Sequence, residues 1–113
     1  MTLTQTAATA LLNALNSAIG ANAKIEIYTA ENVKLAGLTG GPTFGTVSGR
    51  NLTANTITRD NEADATGTAS YVTVATSDGA EIVRLTVGSD VTMPTTSITA
   101  GQPVEFASLT ISI

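Results

Sequence analysis

A mainly β, antiparallel domain, a β-sandwich of jelly-roll type preceded by one N-terminal amphipathic α-helix, is the fold this sequence predicts. Three observations predict it. Apolar residues recur at three- and four-residue steps only in the first twenty or so positions, and from Lys24 onward they alternate with polar ones. The alternating runs are short, about four to eight residues, and Gly, Pro and Asp turns separate them. No second helical pattern is available for the crossovers of a parallel sheet. At 113 residues the chain is expected to be a single domain, 1–113, with 1–20 a helical arm and 24–113 the sandwich.

The helix is expected at about Leu3 to Ile19. Thr2, with Gln5 three residues on, has the spacing of a capping box. Leu3, Ala7, Ala8, Leu11, Leu12, Leu15, Ala18 and Ile19 share one face. Gly20 supplies the positive φ that ends many helices. That apolar stripe either covers the chain's own core or docks on a neighbour.

Two strands and a turn follow. Ile25 and Ile27 alternate with Lys24, Glu26 and Tyr28; Val33, Leu35 and Ala36 lead to Leu38; Thr39-Gly40-Gly41-Pro42 reads as a loop. Further strands are expected at Thr46 to Ser48, Leu52 to Thr58, Ala69 to Thr76, Ala80 to Val87 and Val104 to Ile113. Ser77-Asp78-Gly79 joins Ala69 to Thr76 and Ala80 to Val87 as a hairpin, because Asp-Gly supplies the backbone that tight hairpin turns require. In the last strand Val104 and Phe106 sit on the opposite parity from Leu109, Ile111 and Ile113. A bulge near Ala107 or Ser108 would reconcile them.

Composition bounds the function. Aromatics are 4% of the chain and Trp is absent, so the core is built from modest side chains, and burial against partners would add stability. Thr-rich, low-charge strands suit assembly or a solvated sheet face. Charged residues are 12%, the net charge is -4, and Lys24, Lys34, Arg50, Arg59 and Arg84 form no cluster. Nucleic acid and anionic membranes are therefore not expected partners. No basic n-region precedes the first apolar residues, and Asn13, Asn16 and Ser17 interrupt them. Neither a secretory signal nor a membrane span is expected, and the mature chain is expected to start at Met1.

With no His and no Cys, the usual proton shuttle, the Ser-His-Asp arrangement and His or Cys metal sites are excluded, and no enzyme is expected. Asp60-Asn61-Glu62-Ala63-Asp64 places acids at alternate positions, as a Ca²⁺ loop would. However, Ala65 and Tyr71 stand where an EF-hand loop needs Gly and Glu, and a solvated loop is the simpler reading. The four aromatics Tyr28, Phe44, Tyr71 and Phe106 are too few for a glycosidase cleft. Gly37, Gly40, Gly41 and Gly45 lack the following Lys-Ser/Thr of a phosphate loop and read as a flexible loop. Asn51-Leu52-Thr53 fits a glycosylation acceptor, which means little without export. No catalytic residue, metal, cofactor or small-molecule substrate is expected.

The helix, the strand Ile25-Glu26-Ile27-Tyr28-Thr29 and the run Thr56-Ile57-Thr58-Arg59-Asp60 through Ala65-Thr66-Gly67-Thr68-Ala69-Ser70-Tyr71 occur in that order. The Ser77-Asp78-Gly79 hairpin and the ending Thr95-Thr96-Ser97-Ile98-Thr99-Ala100-Gly101 through Ser108-Leu109-Thr110-Ile111 complete the series. That arrangement resembles small structural proteins of tailed bacteriophages and prophages. The resemblance implies a virion protein made in the host bacterial cytoplasm: a capsid decoration or cement protein on the outer shell, in contact with the major capsid protein and homotrimeric. A tail or neck component, or a fibre-tip binding module, is the alternative. Leu11, Leu15 and Ile19 of the helix and Leu109, Ile111 and Ile113 of the last strand are the expected interface residues.

Overall fold

The computed structural model describes residues 2–91, 96–106 and 109–113. Its one helix, α1, runs Gln5–Ile19. Thr4, in extended backbone, is the N-cap, and its Oγ1 accepts from the Ala7 N–H at 3.2 Å. The start therefore lies two residues after the expected one, and Thr2 does not cap. A cap must precede the first helical residue while its oxygen reaches the third amide of the first turn, and Thr4 meets both conditions. Gly20 ends the helix at φ 72° as expected.

Ten strands follow among the described residues: β1 Lys24–Tyr28, β2 Lys34–Gly40, β3 Gly45–Ser48, β4 Asn51–Ala54, β5 Ile57–Thr58, β6 Gly67–Thr68, β7 Tyr71–Ala75, β8 Glu81–Thr86, β9 Ser97–Ile98 and β10 Thr110–Ser112. Every pairing between them is antiparallel. They form a five-stranded sheet in the order β5-β2-β1-β7-β8, a three-stranded sheet β10-β4-β3 and a two-stranded pair β6-β9. The chain is mainly β behind a single helix, as its alternation predicts. The β1–β2, β3–β4 and β7–β8 pairs are local hairpins, whereas β1–β7, β2–β5, β4–β10 and β6–β9 join strands distant in sequence.

The β1–β2 register shows how the pattern selects a face. Ile25 lies opposite Leu38 and Ile27 opposite Ala36, all inward, and the register then shifts so that Tyr28 opposes Lys34. Leu35 is the extra residue, which is why Leu35 and Ala36 are both buried although adjacent. Thr39 and Gly40 belong to β2, paired with Thr58 and Ile57, and the loop starts only at Gly41. Gly37 and Gly45 also lie in strands, so most of the glycine stretch is sheet.

The run Leu52 to Thr58 is divided. Its first part, β4, pairs in the three-stranded sheet, and β5 crosses to the five-stranded one. Among the described residues of the final run, the strand is β10. Val104 makes an isolated bridge to Asp60 through two backbone bonds, of 3.0 and 2.7 Å. The bulge expected at Ala107 or Ser108 lies outside the described residues. At the hairpin, Gly79 takes φ 93° and Thr76 N–H bonds to the Ala80 carbonyl at 2.9 Å.

One apolar cluster unites these elements. Leu12 and Ile19 come from α1; Ile25, Ile27, Leu35, Val72, Val74 and Leu85 from the five-stranded sheet; Leu52 and Ile111 from the three-stranded sheet; and Phe44, Ile98 and Leu109 fill between. Each fully buried aliphatic side chain contributes about 2 kcal/mol.

Candidate functional site

The helix is amphipathic in an unusual sense, because it carries no charge on either side. Ala8, Leu12 and Ile19 are buried and Leu15 is half-buried, whereas Leu11 is 52% exposed. Ala10, Ala14 and Ala18 are exposed as well. Of the six expected interface residues, Ile19, Leu109 and Ile111 are therefore used by the chain's own core. Leu11, Leu15 and Ile113 (45% exposed) retain accessible surface. The two-sided use of the apolar stripe follows from its width: eight positions span more arc than one sheet surface covers.

Besides Leu12 and Ile19, polar contacts hold α1 in place, and the sequence reading passed over them. The Asn16 side-chain amide donates through Nδ2 to the Gly45 carbonyl and accepts through Oδ1 from the Gly45 N–H, both at 3.0 Å. A side-chain amide has the same donor and acceptor as a peptide, so Asn16 stands where a neighbouring strand would pair with β3. On the same helix face, seven residues earlier, Thr9 Oγ1 donates to the Gly49 carbonyl at 2.6 Å. The helix thus covers the free edge of β3, one of the ways proteins guard an edge strand. Gly45 is obligatory here: a Cβ would press on the Thr53 carbonyl and lie 2.9 Å from Leu52 Cδ1. The signal was present in the sequence as Thr9 and Asn16 spaced seven apart on one helical face.

The solvent face of the five-stranded sheet carries a cross-strand row. Tyr28 and Tyr71 are direct partners, stacked with centroids 5.1 Å apart and planes within 9°. Arg84 lies 4.3 Å over the other face of Tyr71, itself bonded to Glu81 at 3.1 Å. Lys34 Nζ is 2.9 Å from Glu26 Oε2 and 3.9 Å from Asp64 Oδ2. The Tyr71 hydroxyl donates to Asn32 Oδ1 at 2.7 Å, and the Tyr28 hydroxyl to Glu26 Oε1 at 3.3 Å. Burial, then the neighbouring Glu26 carboxylate, raises the Tyr28 phenol above its ordinary value. The hydrogen bond to Glu26 raises Lys34 in the same way, and that to Glu81 raises Arg84. Because Tyr71 is covered on both faces, this pair is not a flat ring platform of the kind that sugars stack on.

Asp60 is a clasp. Its Oδ2 accepts from the Gly37 N–H at 2.9 Å and its Oδ1 from the Glu62 N–H at 3.0 Å. Those bonds fasten the acidic loop to β2 and occupy both oxygens. Among the described residues no group of three Asp or Glu side chains is placed to hold a metal ion. No described helix is long and apolar enough to cross a membrane.

A cleft of about 570 Å³ opens between the β1–β2 turn and β6. Thr29, Ala30, Glu31 and Val33 line one side, and Thr66 to Ser70 the other. Comparison with known proteins finds no matching family model, no matching curated protein and no matching solved structure.

Proposed function

We propose that the chain is a structural component of a bacteriophage particle. It decorates the outer capsid shell as a homotrimer that contacts the major capsid protein and reinforces the head. The observation that carries this reading is the charge-free helix that guards β3 with one side and leaves Leu11 exposed on another. A helix that only covered its own sheet would gain solubility from charged residues on its outer side, and α1 has none. The sequence resemblance to phage structural proteins and the absence of His and Cys point the same way. Reinforcement needs no chemistry: each copy adds contact area across capsomer junctions, and the effect is multiplied over the shell.

A fibre-tip binding module is the less favoured reading, since Tyr28 and Tyr71 spend ring faces on each other. A tail or neck location would use the same apolar surface. Light scattering at low and high concentration tests the proposal. A stable trimer that then binds isolated shells is expected. A monomer at all concentrations with no affinity for shells would overturn it.

A further inference from the structure

The cleft between the β1–β2 turn and β6 is rigid on its turn side. The Thr29 hydroxyl oxygen, 7% exposed as a residue, accepts from the N–H groups of Glu31 and Val33 at 3.2 and 3.1 Å. Thr29 N–H bonds to the Val33 carbonyl and Asn32 N–H to the Thr29 carbonyl, both at 3.0 Å. Asn32, at φ 67°, is held by the Tyr71 hydroxyl. Opposite, Gly67 is pressed against Thr29 and Leu35: a Cβ there would lie 2.9 Å from Thr29 Cγ2 and 3.1 Å from Leu35 Cδ2. Thr66 Oγ1 accepts from the Ala100 N–H at 2.9 Å, so its position is fixed too.

The lining contains acceptors and one negative charge. Glu31 forms no ion pair among the described residues, and Thr66, Thr68 and Ser70 line the same cleft. No Lys or Arg lines the cleft. Val33, 48% exposed, adds an apolar wall with Ala30 and Ala69. An apolar wall beside a carboxylate and hydroxyl oxygens matches a side chain with a hydrocarbon stem and a donor-rich cationic head.

We infer that this cleft receives a basic side chain, Arg in preference to Lys, from the protein partner. A planar guanidinium carries enough donors to serve Glu31 and a hydroxyl of the lining. The inference rests on the reading of the chain as a protein-binding component and names the chemistry of the contact.

The test titrates ¹⁵N-labelled chain with N-acetyl-argininamide and with its neutral isostere N-acetyl-citrullinamide. Saturable shifts at Glu31, Val33 and Thr66 to Ser70 are expected with the cation. Glu31→Gln should weaken binding by about fivefold, as an exposed ion pair would, and added salt should act likewise. Glu31 is exposed, so the variant's spectrum should otherwise match the parent. Equal affinity for both probes, an unaltered Glu31→Gln titration, or shifts centred on Asp60 to Asp64 would each overturn the inference. Shell binding is not read in this titration, so its failure leaves the decoration proposal to its own assay, and the reverse holds.

Discussion

Lys34 and Tyr28 show what single residues contribute. Both groups keep their protons more tightly in the folded chain than their ordinary values of 10.5 and 10.0. For a raised value, the stabilisation is complete below the ordinary value and is lost as pH climbs through the folded one. Thermal unfolding should therefore fall in midpoint from about pH 9.5 to about pH 11.5, and Glu26→Gln should be less stable at neutral pH with a shallower alkaline decline. Melting curves across that range check both statements. Gly45 is the second test, since its Cβ would meet Thr53 and Leu52. Gly45→Ala should cost about 3 kcal/mol in urea unfolding, whereas Gly79→Ala, with open space around it but φ 93°, should cost about 1 kcal/mol. The glycine at 79 could be read from Asp78-Gly79, because a turn signal is local. That of Gly45 could not, because the contact is with a strand that pairs only after folding.

At the scale of elements, the helix and the long strands follow from periodicity, while the short strands do not. Ile25, Ile27, Val72 and Val74 announce their sheet because alternation over five residues fixes a face. The pair β6–β9 is two residues long on each side, too short for any period to be seen. The split of Leu52 to Thr58 at Asn55 depends on a backbone bond to the Phe44 carbonyl, a long-range partner that alternation does not encode. The helix start was misplaced because Thr2 and Thr4 both offer a hydroxyl and only the geometry of the first turn decides between them. Adjacent leucines of α1 separate its two sides: Leu12→Ala should cost about 3 kcal/mol, and Leu11→Ala under about 0.5 kcal/mol. Asn16→Ala, which leaves the buried Gly45 N–H and carbonyl without their partner, should cost about 2 kcal/mol. Asn16→Asp should cost at least as much, since it keeps the acceptor but sets a negative charge against the Gly45 carbonyl. Denaturant unfolding of these variants measures the clasp directly.

At the scale of the whole molecule, the helix is the longest uncharged surface element. The first charged side chain is Lys24, and the row Lys34, Glu26, Arg84 and Glu81 sits on the solvent face of the five-stranded sheet. The proposed decoration reading uses the uncharged helical side as its main seat, but the helix alone does not supply enough surface for it. Fifteen residues make a rod about 22 Å long and about 10 Å wide, so its outer strip presents about 220 Å². A stable interface uses about 800 Å² from each partner. The seat must therefore extend from α1 onto neighbouring backbone. Arg50 provides that continuity, since it bonds both the Leu3 carbonyl at the helix entrance and the Ile113 carbonyl at the end of the last strand. Leu11 then lies within the seat and Ile113 at its margin. Residues at the centre of an interface carry most of its energy and those at the rim little. Leu11→Asp should accordingly fold with an unchanged melting midpoint and lose about 30-fold or more in affinity for its partner copies or shells. Ile113→Asp should lose less than about fivefold. Equal losses, or none, measured by light scattering and shell co-sedimentation, would place the seat elsewhere on the molecule.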